Sequence, residues 1–341
     1  METEIGGPLK MSVKIERWQN VVPFKIANHI FDAADVLLLC LEKDNEVGRG
    51  EAAGVFYRND TPPQMLRQIE ALRLSIESGV SRASVQTMLA AGGARNALDC
   101  AVWDLEAKLT GRAAWQIAGL EKPGPLLTTF TCGIDAPTEM ANAARAYASA
   151  RAIKVKLAGD DEDADRVHAV REARPDVRLC VDANQSLVRG TLDSLMPTFL
   201  QTQVELIEQP FPVGQESLLD GFQSPIPIAA DESIQDLAGL HTLVGRFDMV
   251  NIKLDKCGGL SEGLRIARRA RELGLASMVG NAGGTSLAMA PAFLVGQFCA
   301  LVDLDGPVFL CSDREFRVRY TDGFISCPEA LWGHSADGVR S

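Results

Sequence analysis

The chain has 341 residues, of which 46% are hydrophobic and 23% charged, with a formal net charge of -11. This length exceeds a usual single core and predicts two domains or one large α/β barrel with an appendage, and the composition is that of a soluble globular protein rather than a disordered or fibrous one. The acidic surplus argues against nucleic acid or an anionic membrane as partner, since both call for a basic face.

The chain opens "METEIGGPLKMSVKIERWQN", which is charged and lacks the apolar centre of a signal peptide, so a cytoplasmic location is expected. Met11 reads as a natural start preceded by a disordered tail. Strand-like alternation in "MSVKIERWQNVV" and "DVLLLCLE" gives way to helical spacing from Thr61 onward. In "GGARNALDCAVWDLEAKLTGRAAWQIAGL" Gly111 is placed to end a helix. Residues 1–125 are therefore expected to form an α+β unit, a small sheet followed by helices. Eight cysteines are scattered without a C-x-x-C pair, which suggests reduced thiols and neither a zinc site nor a disulfide framework.

From residue 126 the pattern changes to short apolar runs separated by amphipathic stretches such as "SEGLRIARRARELG". The runs are "LLTTFTCGI", "IKVKLAG", "RLCVDAN", "VELIEQP", "PIAADES", "MVNIKL", "ASMVGN" and "LVDLDG". Eight such strands with helices between them predict a parallel βα barrel over 126–307. Gly274 to Val302 contains no charged residue, but its five glycines, Pro291, Asn281 and Gln297 make it buried barrel and not a membrane span. The tail, 308–341, reads as short strands that return to the capping unit and complete the N-terminal sheet.

Chemistry in such barrels sits at the C-terminal ends of the strands. The third run ends in Asp182 and Asn184, the fourth in Glu208, and the fifth in Asp231 with Glu232 beside it. Intervals of 26 and 23 residues, each near one βα unit, place Asp182, Glu208 and Asp231 at equivalent points of neighbouring strands. Converging carboxylates repel and need a cation, and an all-oxygen set suits Mg2+. The plainer alternative is that each acid caps the helix that follows it. The second run ends in Lys154 and Lys156, which alternation puts on one side, and the sixth ends in Lys253. Lys156 and Lys253 are candidate opposed bases, with Lys154 lowering the pKa of Lys156 by like-charge crowding; the alternative makes Lys154 a charge partner of the acids. The eighth run ends in Asp303 and Asp305, either a simple Asp-Gly-Pro turn or a site for a substrate ammonium group.

K-x-K, D-x-N, I-E-Q-P, A-D-E-S and N-I-K-x-x-K-x-G-G, preceded by "ARNALDCAVWDLEAKLTG", together resemble the muconate-lactonizing-enzyme subgroup of the enolase superfamily over nearly the whole chain. The resemblance implies a modified (β/α)7β TIM-type barrel with an α+β capping domain built from both termini. It further implies Mg2+ held by Asp182, Glu208 and Asp231, and Lys156 and Lys253 as acid and base. Asp303 and Asp305 look like the D-x-D element by which dipeptide epimerases hold the α-ammonium, so the expected function is epimerisation of a dipeptide through a metal-stabilised enediolate. None of the four histidines falls at a strand end, unlike the mandelate-racemase subgroup.

Two features depart from the subgroup. "MVGNAGGTS" has no acid at the end of the seventh run, leaving Asn281 and Gly283 to shape the pocket. The cap loop "PFKIANHIFDAADV" lacks the arginine expected of an Ala-Glu epimerase, so Lys25 substitutes for it or Asp32 favours another side chain. Rival readings are an N-acylamino-acid racemase, an o-succinylbenzoate synthase or a cycloisomerase on the same lysines, a Schiff-base aldolase, and a non-catalytic metal-stabilised binding protein. Asp255, Lys256 and Cys257 have no role that the sequence supplies. A homo-oligomer is compatible with the sequence but not specified by it.

Overall fold

The computed structural model describes residues 5–27 and 29–334. Three long antiparallel strands open the chain: β1 (Lys10–Ile26), β2 (His29–Lys43) and β3 (Glu46–Ala52), paired in that order. In β2 the alternation is plain, because Leu37, Leu39 and Leu41 are buried on one face against helix α1 (Gly93–Thr110). Gly48 and Gly50 of β3 let that helix come close, since a Cβ at either would collide with its backbone. The helix ends at Gly111, whose φ of 64° is the left-handed conformation that glycine adopts without penalty.

Eight parallel strands follow in sequential order: β4 (Phe130–Cys132), β5 (Ala152–Lys156), β6 (Arg178–Asp182), β7 (Val204–Glu208), β8 (Ile228–Ala230), β9 (Met249–Ile252), β10 (Ala276–Val279) and β11 (Leu301–Val302). A parallel bridge from Thr128 to Val302, with Thr129 N donating to the Val302 carbonyl at 2.9 Å, closes the ring. The barrel and cap read from the sequence are thus both present. Cys180, Leu206, Ala229 and Met278 fill the lower barrel interior, while the larger apolar core lies between the strands and the surrounding helices. After β7 and β8 the outer ring is thin, carrying the 3-10 turns Glu216–Leu219 and Ala238–Leu243 where α-helices stand elsewhere.

Three expectations need correction. The run at 126 divides: Leu126–Leu127 leaves the barrel and pairs antiparallel with Phe324–Ser326, and only Phe130–Cys132 joins the ring. The tail strands Arg319–Thr321 and Phe324–Ser326 belong to that small sheet and do not extend the N-terminal one. The tail does reach the cap, through Cys311 N to the Gln19 carbonyl at 2.8 Å and the Trp332 indole to the Arg49 carbonyl at 2.9 Å. Residues 5–10 are also no tail, because Ile5–Gly6 pairs with Gly79–Val80 and Leu9 N donates to the Glu77 carbonyl; residues 1–4 lie outside the described residues. Among the described residues no helix is long and apolar enough to cross a membrane, and all eight cysteines are free thiols.

The cap straddles the C-terminal mouth from two sides. The β1–β2 hairpin reaches the ends of β4 and β11, where the Lys25 carbonyl accepts from Ile134 N at 2.9 Å and Phe24 packs on Phe309 with centroids 4.6 Å apart. The turn after β3 reaches the ends of β8 and β9, where Gly54 N donates to Asp255 at 2.8 Å and Arg58 donates to the Gln235 side chain at 2.8 Å.

Candidate active site

The ladder register brings Lys156 opposite Asp182 and Asp182 opposite Glu208, so alternation aims all three side chains into the barrel at one level. Asp231 follows one residue after β8 and Lys253 one after β9. Just beyond the acids, Asn184, Gln185 and Gln209 take positive φ (42°, 71° and 35°), strained turns of the kind that concentrate at functional sites. Gln209 holds the level of the acids, its side-chain oxygen accepting from Asp231 N at 2.9 Å and Ser233 N at 3.1 Å.

Lys154, 2% exposed, stands at the centre with Nζ at 3.0 Å from Asp182, 2.9 Å from Glu208 and 2.8 Å from Asp303. Burial opposes its charge, but these acids outweigh it and hold its pKa well above the ordinary lysine value. Lys154 therefore has the geometry of the charge partner. Lys156 Nζ contacts the same Asp182 oxygen at 2.5 Å, and it also donates to Asn184 at 3.0 Å. Across the ring, Lys253 Nζ lies 2.6 Å from Asp231, whose charge raises the lysine pKa against the effect of burial. β5 and β9 are four strands apart in a ring of eight, so Lys156 and Lys253 flank the mouth from opposite sides.

The acids respond to the same charges. Burial pushes the Asp182 carboxyl up, yet Lys154 and Lys156 bring it down to about 2. Asp231 is held well below the carboxylate range by Lys253 and Lys256 in spite of its burial. Burial and the neighbouring charge of Asp182 push Glu208 up to about 7, and burial with Asp231 pushes Glu232 up to about 7. Glu232 accepts from Asn184 at 3.2 Å, which links it through that amide to Lys156.

Lys256 and Asp255 gain roles that the sequence did not supply. The helical turn α2 (Leu254–Cys257) places Lys256 one turn from Lys253 on the same side. Its buried ammonium donates to Asp231 at 2.5 Å and to the Asn251 carbonyl at 3.1 Å, and burial lowers its pKa. Asp255 faces the other way and anchors the cap at Gly54. Cys257 contributes its carbonyl, which accepts from Arg95 at 2.5 Å. Asn251, also unremarked in the sequence, donates to Glu208 at 2.9 Å. The N-I-K-x-x-K spacing held the signal for Lys256, because three residues make one face only if the strand ends at Ile252.

At the end of β11, Asp303 is taken up by Lys154 and by Thr129 at 2.5 Å. Asp305 accepts from Thr131 N at 2.7 Å and from Asn281 at 3.3 Å, and burial with the charge of Asp303 pushes it up to about 6. Asn281 thus fills the place of the missing β10 acid by bracing Asp305, and Gly283 N braces Asn281 at 2.9 Å. The two cap-loop candidates lie away from this cluster. Lys25 sits 3.5 Å from Asp135, and Asp32 is exposed on β2 with its carbonyl accepting from Gln19 at 2.8 Å.

Six buried carboxylates (Asp182, Glu208, Asp231, Glu232, Asp303, Asp305) face four buried or half-buried ammonium groups (Lys154, Lys156, Lys253, Lys256), a formal surplus of two negative charges when every carboxyl is ionised. The Glu232 Oε2 and Asn251 Oδ1 atoms are buried with no hydrogen-bond partner among the described residues. Oxygen donors, two surplus negative charges and the neutralising pull on Glu208 fit a hard divalent cation. Among the described residues no three acidic, His or Cys side chains are set closely enough to chelate an ion as they stand, because ammonium groups stand between the acids.

Residues 9–119 match the family described as mandelate racemase / muconate lactonizing enzyme, N-terminal domain, and residues 139–337 match the enolase C-terminal domain-like family. The chain is 37% identical over 310 residues to the L-Ala-D/L-Glu epimerase of Escherichia coli (strain K12), a match covering 90% of this chain and 96% of the relative. It is 41% identical over 254 residues to an N-acetyl-D-glutamate racemase of Pseudoalteromonas sp, covering 74% of this chain and 80% of that one. Among solved structures, a dipeptide epimerase from Methylococcus capsulatus complexed with Mg and L-Arg-D-Lys superposes with a TM-score of 0.88 at 30% identity, covering 97% of this chain and 99% of that one.

Proposed function

We propose a Mg2+-dependent dipeptide epimerase, on the premise that the chain belongs to the mandelate racemase and muconate lactonizing enzyme family. The observation that carries the proposal is the pair Lys156 and Lys253, held on opposite strands of one barrel mouth and each hydrogen-bonded to a carboxylate between them. A one-way elimination needs one base, whereas inversion of a stereocentre needs a proton taken from one face and returned to the other.

Asp182, Glu208 and Asp231 would hold the cation. When bound, Mg2+ supplies the positive charge that lets negative charge build on the substrate carboxylate, without which the α-proton is too weakly acidic to remove. In one direction neutral Lys156 takes the α-proton from its face, and the Lys253 ammonium delivers one to the other. In the reverse direction the two exchange roles. Asn184 and Asp182 orient the Lys156 nitrogen, and Asp231 orients that of Lys253. Lys154 balances the charge of the central acids Asp182, Glu208 and Asp303. At the far end the substrate α-ammonium meets Asp305, with Asp303 behind it, so the dipeptide spans the mouth from β11 to β6–β8.

A second reading, racemisation of an N-acyl amino acid, is favoured by the Pseudoalteromonas racemase relative and by the engagement of both Asp303 oxygens with Lys154 and Thr129. NMR of L-Ala-L-Xaa dipeptides and of N-acetyl-L-amino acids incubated with the enzyme and Mg2+ separates the two. Appearance of the L,D-dipeptide supports the proposal. Turnover confined to the N-acetyl compounds would replace it with the second reading.

A further inference from the structure

We propose that helix α1 of the cap positions one of the two acid/base lysines and not the other: through Arg95 and Asp99 it grips the turn that carries Lys253, while Lys156 is placed by the barrel ladder. The inference rests on the epimerase reading above and adds Arg95 and Asp99 to it as positioning residues, which act through Lys253.

The two lysines are supported by different means. Lys156 ends β5, which is laddered to β4 on one side and to β6 on the other, and its own register partner is Asp182. Lys253 lies past the last ladder pair of β9, Ile252 with Val279. It opens the helical turn α2, its carbonyl accepting from Lys256 N at 3.0 Å and Cys257 N at 3.1 Å. Four residues are too few for a helix to hold by itself, because nucleation is unfavourable and the last carbonyls find no partner within the turn.

α1 supplies those partners. Arg95, 7% exposed, donates to the Cys257 carbonyl at 2.5 Å and to the Gly258 carbonyl at 3.3 Å. One helical turn further along α1, the buried Asp99 accepts from Ser261 N at 2.9 Å and from the Ser261 hydroxyl at 2.6 Å, at the start of the helix Leu260–Glu272. Arg95 and Asp99 share one face of α1, so they hold the chain on both sides of Gly258 and Gly259. These glycines have φ of 80° and 113°, and a Cβ would collide with the Arg95 guanidinium at the first and with the Asp99 carboxylate at the second. Within the turn, Asp255 is tied to Gly54 N and lies beside the Asn96 side chain of α1.

The opposite side of the same turn presents Lys253 and Lys256 to Asp231. A shift of α2 against α1 therefore moves the Lys253 nitrogen and leaves Lys156 in place. Proton transfer depends steeply on position, and a misplacement of about 1 Å can cost on the order of 100-fold. Loosening the grip slows what Lys253 does, which is to remove the α-proton of one diastereomer and to deliver a proton when the other is inverted. Lys156 still removes and returns the α-proton of its own diastereomer.

The test follows, in D2O with saturating Mg2+, the L-Ala-L-Xaa dipeptide that the native enzyme turns over fastest, together with its L,D diastereomer. The proteins are the native enzyme, Arg95→Gln, Arg95→Lys and Asp99→Asn, at a temperature where circular dichroism shows each folded. The readout is the ratio of α-deuterium gained with retention to that gained with inversion. Arg95→Gln is expected to raise this ratio about 10-fold for one diastereomer, the one whose exchange survives Lys253→Ala, and to slow all exchange of the other. Arg95→Lys keeps a cationic donor near the Cys257 carbonyl and shifts the ratio less. Asp99→Asn shifts it in the same direction, which preserves the test if Arg95→Gln does not fold. An unchanged ratio, with both diastereomers slowed equally, would make the grip merely structural and overturn the inference. A rise confined to the diastereomer whose exchange survives Lys156→Ala would overturn it as well. If the native enzyme exchanges no dipeptide at all, the epimerase reading falls and this inference with it.

Discussion

Replacing Lys256 with methionine removes the ammonium that holds Asp231 while keeping the buried volume. The side chain is 2% exposed and donates to one Asp231 oxygen and to the carbonyls of Asp231 and Asn251. Removing one partner of a buried ion pair costs about 3–5 kcal/mol, and the lower figure applies because Asp231 keeps Lys253 at 2.6 Å. With an unfolding entropy of about 2.1 cal/mol/K per residue over 341 residues, about 3 kcal/mol lowers Tm by about 4 °C. Activity should fall further than stability explains, since the freed carboxylate is no longer fixed in orientation beside Lys253 and among the residues that would hold the cation. Thermal unfolding of native and Lys256→Met protein, with and without Mg2+, and kcat at a temperature where both are folded, measure the two effects. A variant with native Tm and native kcat would refute the view that Lys256 orients Asp231.

Asp305→Asn should raise KM for dipeptides by roughly 10–100-fold, the loss of one charge-assisted contact, with little change for N-acetyl amino acids that carry no ammonium. Because burial and Asp303 raise the Asp305 pKa to about 6, its carboxylate is present above that pH and lost as pH falls through it. Dipeptide kcat/KM should therefore decline from pH 7 to pH 5, and a flat profile over that range would contradict Asp305 as the ammonium site. EDTA should abolish turnover and Mg2+ restore it, with the metal raising stability by about 2.7 kcal/mol at 100 times its dissociation constant, read as a rise in Tm. Full activity after exhaustive chelation would exclude the cation from the reaction.

The strand ends were legible because two periodicities coincide there: alternation of side chains along each strand, and one carboxylate or lysine per βα unit. Asp182, Glu208, Asp231, Lys156 and Lys253 meet at one level for that reason, and the Lys154 nitrogen reaches Asp182 and Glu208 from one layer below. Alternation does not reveal where a strand stops. Leu126–Leu127 reads as barrel strand but is claimed by the returning tail, a pairing some two hundred residues distant that no local pattern encodes. The same limit hid Lys256 and Asp255, whose roles depend on the chain turning helical at Leu254, so that one points at Asp231 and the other at the cap. Lys154 was legible as a member of the site, while its three carboxylate contacts required knowing that β5 faces both β6–β7 and β11 across the barrel. The reach of Arg58 to the Gln235 side chain beyond β8 was not legible, because contacts between cap and barrel carry no sequence period.

The central claim is that Lys156 and Lys253 work on opposite faces of one α-carbon, and α-deuterium incorporation in D2O tests it most directly. L,L- and L,D-dipeptides would be incubated separately with the native enzyme, Lys156→Ala and Lys253→Ala in the presence of Mg2+. The account predicts that the native enzyme labels and epimerises both diastereomers, while each variant epimerises neither and retains exchange with one diastereomer only, opposite for the two variants. Exchange of the same diastereomer by both variants, or epimerisation surviving either substitution, would contradict it.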